Sequence, residues 1–144
     1  MTMVRDVMTK DVKVCAPHDS VTAAAQIMRD VNCGSVPVCE GKKVVGMITD
    51  RDIVVRGVAE KHPGSTKVED IMSSKLVTIS ADATTKEAAN LMAEHQIRRL
   101  PVVEGDKLIG IVSLGDFAIS KLTDDQAKEA LTEISEQNYN GVQH

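Results

Sequence analysis

Tryptophan is absent, and the only aromatic side chains besides histidine are Phe117 and Tyr139. A core must therefore be built from Val, Ile, Leu, Met and Ala, and the stacking platforms that grip single-stranded nucleic acid are missing. An excess of positive charge is missing too. The net charge is -4 and the pI about 5.5, which disfavours a nucleic-acid binder. No apolar run approaches the ~18–20 residues that span a bilayer. The start, Met1 to Asp6, has no stretch like a secretory signal, so the expected location is the cytosol, away from membranes. Cys15, Cys33 and Cys39 are odd in number and lack CxxC spacing, which favours reduced thiols over a disulfide framework. His18, His62, His95 and His144 have no metal-ligand spacing. There is no P-loop, no GxGxxG and no Ser/His/Asp or Cys/His arrangement, so the chain does not read as an enzyme. What remains is 144 residues, 42% apolar and 26% charged, the composition of a folded chain of one domain or two small ones.

The strongest signal is an internal repeat. Offset by 64, residues 7–53 run without a gap onto 71–117. Identical pairs include Met8/Met72, Ala24/Ala88, Met28/Met92, Pro37/Pro101, Gly41/Gly105, Gly46/Gly110 and Asp52/Asp116. Each half predicts an α/β unit of order βαββα. Short strands are expected at 12–14 and 76–79, and helices from Ser20 and Thr84, the latter with a Thr84/Glu87 capping box. Ala24, Ile27, Met28 and Val31 predict one buried helix face, and Ala88, Leu91, Met92 and His95 repeat it. Strands are expected at 35–39, 44–48, 99–103 and 108–112, joined by hairpin turns with Gly41 and Gly105 at the strained position. The predicted organisation is a first repeat at 1–60, a linker at 61–66, a second repeat at 67–122, and a C-terminal helix and tail at 123–144. Cys15 and Cys39 fall on strands that a right-handed β-α-β crossover makes neighbours, so a disulfide is conceivable, with buried thiols preferred.

Each repeat ends in Gly-h-h-(Thr/Ser)-x-x-Asp, where h is apolar: Gly46 to Asp52 and Gly110 to Asp116. Two readings compete. Thr49 with Asp52 and Ser113 with Asp116 suit helix caps by themselves. A hydroxyl and free N–H groups at a helix start also suit a phosphate, and an Asp beside them suits a ribose diol. A duplicated pattern favours the second reading.

The repeat, its (Leu/Val)-Pro-Val segment, its Glu-Gly turn and this closing motif resemble the cystathionine-β-synthase (CBS) domain, here as a tandem pair over about residues 5–121. The resemblance implies two βαββα repeats packed with pseudo-two-fold symmetry. It also implies a stand-alone regulatory sensor of bacterial type that carries no output domain and signals by conformational change. It implies adenosyl ligands (AMP, ADP, ATP or S-adenosylmethionine, less often NAD or dinucleotides) in clefts between repeats. Asp52 and Asp116 match the family's ribose-binding aspartate, and Thr49 and Ser113 its phosphate-side hydroxyl. Asp116 is expected with Lys13, Val14 and Cys33-Gly34-Ser35, and Asp52 with Val77, Thr78 and Ile97. Arg98 and Arg99 sit where some members carry a basic pair, and guanidinium forks suit phosphate. Gly34 and Ser35 occupy the matching positions uncharged, so the two clefts are expected to differ. A homodimer through the amphipathic closing helices is the implied assembly, with a protein partner left unspecified. The alternative is a ligand-free dimerisation module that acts through that partner.

Overall fold

The computed structural model describes residues 2–73 and 75–119. In chain order it forms α1 (Val4–Val7), α2 (Val21–Val31), β1 (Ser35–Glu40), β2 (Lys43–Thr49) and α3 (Asp50–Asp52), which runs on as a π-helix (Ile53–Val58). There follow α4 (Val68–Ile71), β3 (Ile79–Ser80), α5 (Thr85–His95), β4 (Arg99–Glu104), β5 (Lys107–Ser113) and α6 (Leu114–Ile119). The mixed α/β class expected from the repeat is what forms. The helix and tail expected at 123–144 lie outside the described residues.

Two compact units form, and they do not follow the repeat boundaries in sequence. Of the described residues, one contains those of 11–77 with 105–108; the other contains 2–10, 78–104 and 109–119. In the first, β1 and β2 make an antiparallel hairpin in which Ser35 faces Thr49 and Val38 faces Gly46. Gly41 supplies the turn at φ 60°, a conformation open to glycine at little steric cost. Helix α2 starts at Ser20, whose side chain accepts from the Ala23 N–H. It buries Val21, Ala24 and Met28 against Val36, Val38, Ile48, Val68 and Ile71. Residues 63–66 are docked rather than loose: Gly64 O accepts from both the N–H and the hydroxyl of Thr22, and Thr66 O accepts from the Val21 N–H.

In the second unit β4 lies between β5 and β3, with β3 parallel to β4. Thr84 caps α5 with the reciprocal bonds of a capping box: the Glu87 N–H donates to Oγ1 and the Thr84 N–H to Oε2. The N-terminal segment closes this unit. Val4 is fully buried and its N–H donates to Ala83 O, while Thr9 and Ile111 exchange two backbone bonds of 2.8 and 2.9 Å. Residues 71–73 do the same in the first unit, where Ser73 bridges Met47.

Three local expectations change. Residues 12–14 form no strand; only Cys15 bridges Val38, in parallel sense. The strand expected at 76–79 shrinks to Ile79–Ser80. Both segments have alternating apolar residues but find little sheet edge to pair with. Val31 is 45% exposed rather than buried, because α2 ends there and Asn32 turns left-handed at φ 53°. Gln96, its counterpart 64 residues on, ends α5 with the same φ of 53°.

Candidate functional site

Both closing motifs fold into the same corner. In the first unit the Thr49 N–H donates to Asp52 Oδ2 (3.0 Å) and the Asp52 N–H to Thr49 Oγ1 (3.0 Å). In the second the Ser113 N–H donates to Asp116 Oδ2 (2.8 Å) and the Asp116 N–H to Ser113 Oγ (3.3 Å). The sequence makes this geometry locally. A hydroxyl residue with extended backbone leaves the strand, and an Asp three residues on closes the box. All four side chains are half-buried. Among the described residues, the second oxygen of each carboxylate accepts no hydrogen bond, so each corner keeps an acceptor for an incoming hydroxyl.

The residues before Pro37 and Pro101 lie beside these corners. After the left-handed Asn32, the Cys33 N–H reaches back to Met28 O, and Ile97 does the same to Met92 O. That turn delivers Gly34 O to the Asp50 N–H (2.9 Å) and Arg98 O to the Leu114 N–H (3.1 Å). Gly34, Ser35, Thr49 and Asp52 therefore gather in one unit. Arg98, Arg99, Ser113 and Asp116 gather in the other. Both arginines are exposed and, among the described residues, make no ion pair. Lys13 and Val14 are exposed, and Val77, Thr78 and Ile97 half-buried; no hydrogen bond ties any of them to a corner in its own unit.

Sequence reasoning missed Asp50. It is exposed, its Oδ1 accepts from the Arg51 N–H (2.8 Å), and its Oδ2 lies 2.9 Å from where a Cβ on Gly34 would stand. The available signal was a carboxylate next to the motif's hydroxyl in one repeat and an apolar Leu114 in the other. A cavity of about 430 Å³ in the first unit lies away from the corner, between Val21 and Ala25 of α2, Ile53 and Val58, and His62; no expected ligand-binding residue lines it. Among the described residues no three His, Cys, Asp or Glu side chains gather as metal ligands. Among them, too, no helix is long and apolar enough to cross a membrane.

Cys15 and Cys39 are free and buried. The expected strand proximity is real, since the Cys39 N–H donates to Cys15 O (2.8 Å). The register pairs Cys15 with Val38, and a bulge between Val38 and Cys39 interrupts the alternation of the strand. Cys15 joins the core with Val36 and Val38, and Cys39 is buried beside them in sequence at 5% exposure.

The CBS domain family model matches the chain twice, at residues 4–57 and 68–120. The protein YlbB of Bacillus subtilis (strain 168) is 46% identical over 138 residues, 94% of this chain and 93% of that one. Solved structures are similar as well. Hypoxic Response Protein I with two coordinated zinc ions has a TM-score of 0.76 and 38% identity, covering 83% of this chain and 99% of that one. CBSX2 in complex with AMP has 0.75 and 26%, covering 85% and 97%. The CBS domain pair of protein MJ0100 with 5′-methylthioadenosine and S-adenosyl-L-methionine has 0.73 and 29%, covering 85% and 95%.

Proposed function

The chain belongs to the CBS domain family, and from that premise we propose that it is a cytosolic, non-enzymatic sensor of an adenosyl ligand: AMP, ADP, ATP or S-adenosylmethionine. The observation that carries this reading is the duplicated corner. Two independent stretches of chain build the same hydroxyl, carboxylate and helix start, each with one carboxylate oxygen left to accept from a ribose diol. The AMP of CBSX2 and the adenosyl compounds of MJ0100 support the ligand class. Asp52 and Asp116 would hold ribose. The Thr49 and Ser113 hydroxyls would face phosphate or its substitute, helped by Arg98 and Arg99. Gly34, Ser35, Lys13, Val14, Val77, Thr78 and Ile97 would supply backbone and apolar contacts. A ligand shifts the protein only by its differential affinity for two states, so signalling rests on contacts that change with occupancy.

The test is thermal unfolding with each ligand near millimolar. A ligand at 100 times its dissociation constant stabilises by about 2.7 kcal/mol, roughly a 5–10 °C rise at this size. The rise is expected with at least one adenosyl compound and is expected to vanish in Asp116→Ala or Asp52→Ala. Silence across the panel overturns the reading.

One observation favours the rival, a ligand-free module that works through protein contacts. Both corners are complete capping boxes and account for their own residues. On that view Asp116→Ala lowers stability by about 0.5–2 kcal/mol and changes no ligand response. The two readings share a homodimer, for which the exposed Val54, Val55 and Val58, 60%, 44% and 68% accessible, offer a face. Light scattering that finds a monomer at micromolar concentration removes it.

A further inference from the structure

The two corners share a backbone but carry opposite charge. In the first, the Asp50 N–H donates to Gly34 O; 64 residues on, the Leu114 N–H donates to Arg98 O. One repeat thus places a carboxylate where the other has an apolar side chain, and bare backbone where the other has a guanidinium. Gly34 and Asp50 are matched. A Cβ at Gly34 would stand 2.9 Å from Asp50 Oδ2, so the carboxylate lies over a backbone that only glycine leaves open. Its other oxygen is held by the Arg51 N–H at 2.8 Å, which fixes it beside the corner rather than leaving it to swing away. Over residues 34, 35 and 49–52 the charge is one net negative; over 98, 99 and 113–116 it is one net positive.

We infer that Asp50 sets ligand specificity at the first corner. It disfavours a phosphate there and favours an adenosyl compound whose 5′ group is neutral or cationic, a thioether or sulfonium, while the second corner takes the phosphorylated ligand. The inference rests on the adenosyl reading above. A phosphate monoester carries about -1.5 to -2 charge at neutral pH. A fixed carboxylate within a few ångströms repels it by an amount that solvent reduces but does not remove, because the corner is half-buried and Asp50 exposed. The expected discrimination is roughly tenfold at low salt and shrinks as ionic strength rises.

The experiment is isothermal titration of the whole chain with AMP, S-adenosylmethionine and 5′-methylthioadenosine. Asp50→Asn keeps the side chain's shape and removes its charge. It is expected to tighten the weaker AMP event roughly tenfold, to weaken S-adenosylmethionine, and to leave the uncharged 5′-methylthioadenosine within twofold, which also reports an intact fold. If 5′-methylthioadenosine or AMP binds but Asp50→Asn moves neither AMP nor S-adenosylmethionine beyond twofold, the inference falls and the adenosyl reading stands. If none of the three binds the wild type or Asp50→Asn, the adenosyl reading falls and takes the inference with it.

Discussion

Cys15 is 2% exposed, and burial pushes its thiol up to about 12, with the nearby Asp19 and Cys39 adding to the rise. Burial raises Cys39 in the same direction. A raised folded pKa means the folded state holds its proton where the unfolded state has lost it. The contribution to stability is therefore complete below pH 9 and is lost as pH climbs through 12. A three-unit shift corresponds to at most about 4 kcal/mol. Urea unfolding of wild type and Cys15→Ala should show it: the wild type's advantage falls steadily between pH 9 and 12, and a constant difference would contradict the burial argument. The same scale shows what a sequence reveals about single side chains. Thr84, Thr49 and Ser113 were legible as caps because capping is decided within four residues. Asp50 was not, because its meaning depends on Gly34, sixteen residues away and adjacent only after the hairpin forms.

Elements were legible where local chemistry and burial agree. Helices α2 and α5 carry both a cap and an apolar period, and the hairpins carry glycines at positive φ. The first strands were overread: at 12–14 and 76–78 the alternation is present, but a strand needs an edge, and the sequence does not say where edges lie. The π-helix at 53–58 was also hidden. Its bonds run from the Ala59 N–H to Val54 O and from the His62 N–H to Gly57 O, and six residues are too few to separate that pitch from an ordinary helix. The paired glycines Gly46 and Gly110 yield a prediction at this scale. A Cβ at Gly110 would meet Thr9 O and Met8 Sδ at 2.8 Å each, backbone as well as side chain. At Gly46 the close atom is the flexible Met72 Sδ (2.7 Å), with Ser73 O farther away at 3.3 Å. Overpacking costs about 1–3 kcal/mol. Gly110→Ala should fall at the upper end of that range and Gly46→Ala at the lower, as read from denaturant midpoints; equal costs would mean that the Met8–Thr9 backbone yields as easily as a thioether.

At the scale of the molecule, the repeat was readable but its segment assignment was not. Identity at an offset of 64 is indifferent to which copy a terminal segment joins, and only long-range pairing decides it. Residues 2–10 open the first repeat in sequence yet pack within the unit that holds most of the second, while Ser73 bridges β2 in the other unit. The bonds are specific: the Arg5 N–H donates to Ala81 O, the Thr85 N–H to Thr2 O, and Arg5 pairs with Asp82. Buried Val4 fills the second unit's core, and Met8 covers Gly110. Removing residues 1–9 should therefore injure the distant half of the sequence. Hydrogen exchange is expected to show protection lost across 79–104 and 109–113 while the hairpin at 35–49 keeps most of its own, since that hairpin bridges to Ser73 instead. Opening free energies span from near zero to the global value along a chain, so such a difference is measurable. Val4→Asp offers a milder version, placing a charge in the fully buried site, and should produce the same regional pattern. Uniform loss over both regions would show that the two units open together. Loss confined to 11–49 would mean that the first ten residues belong with the repeat they open.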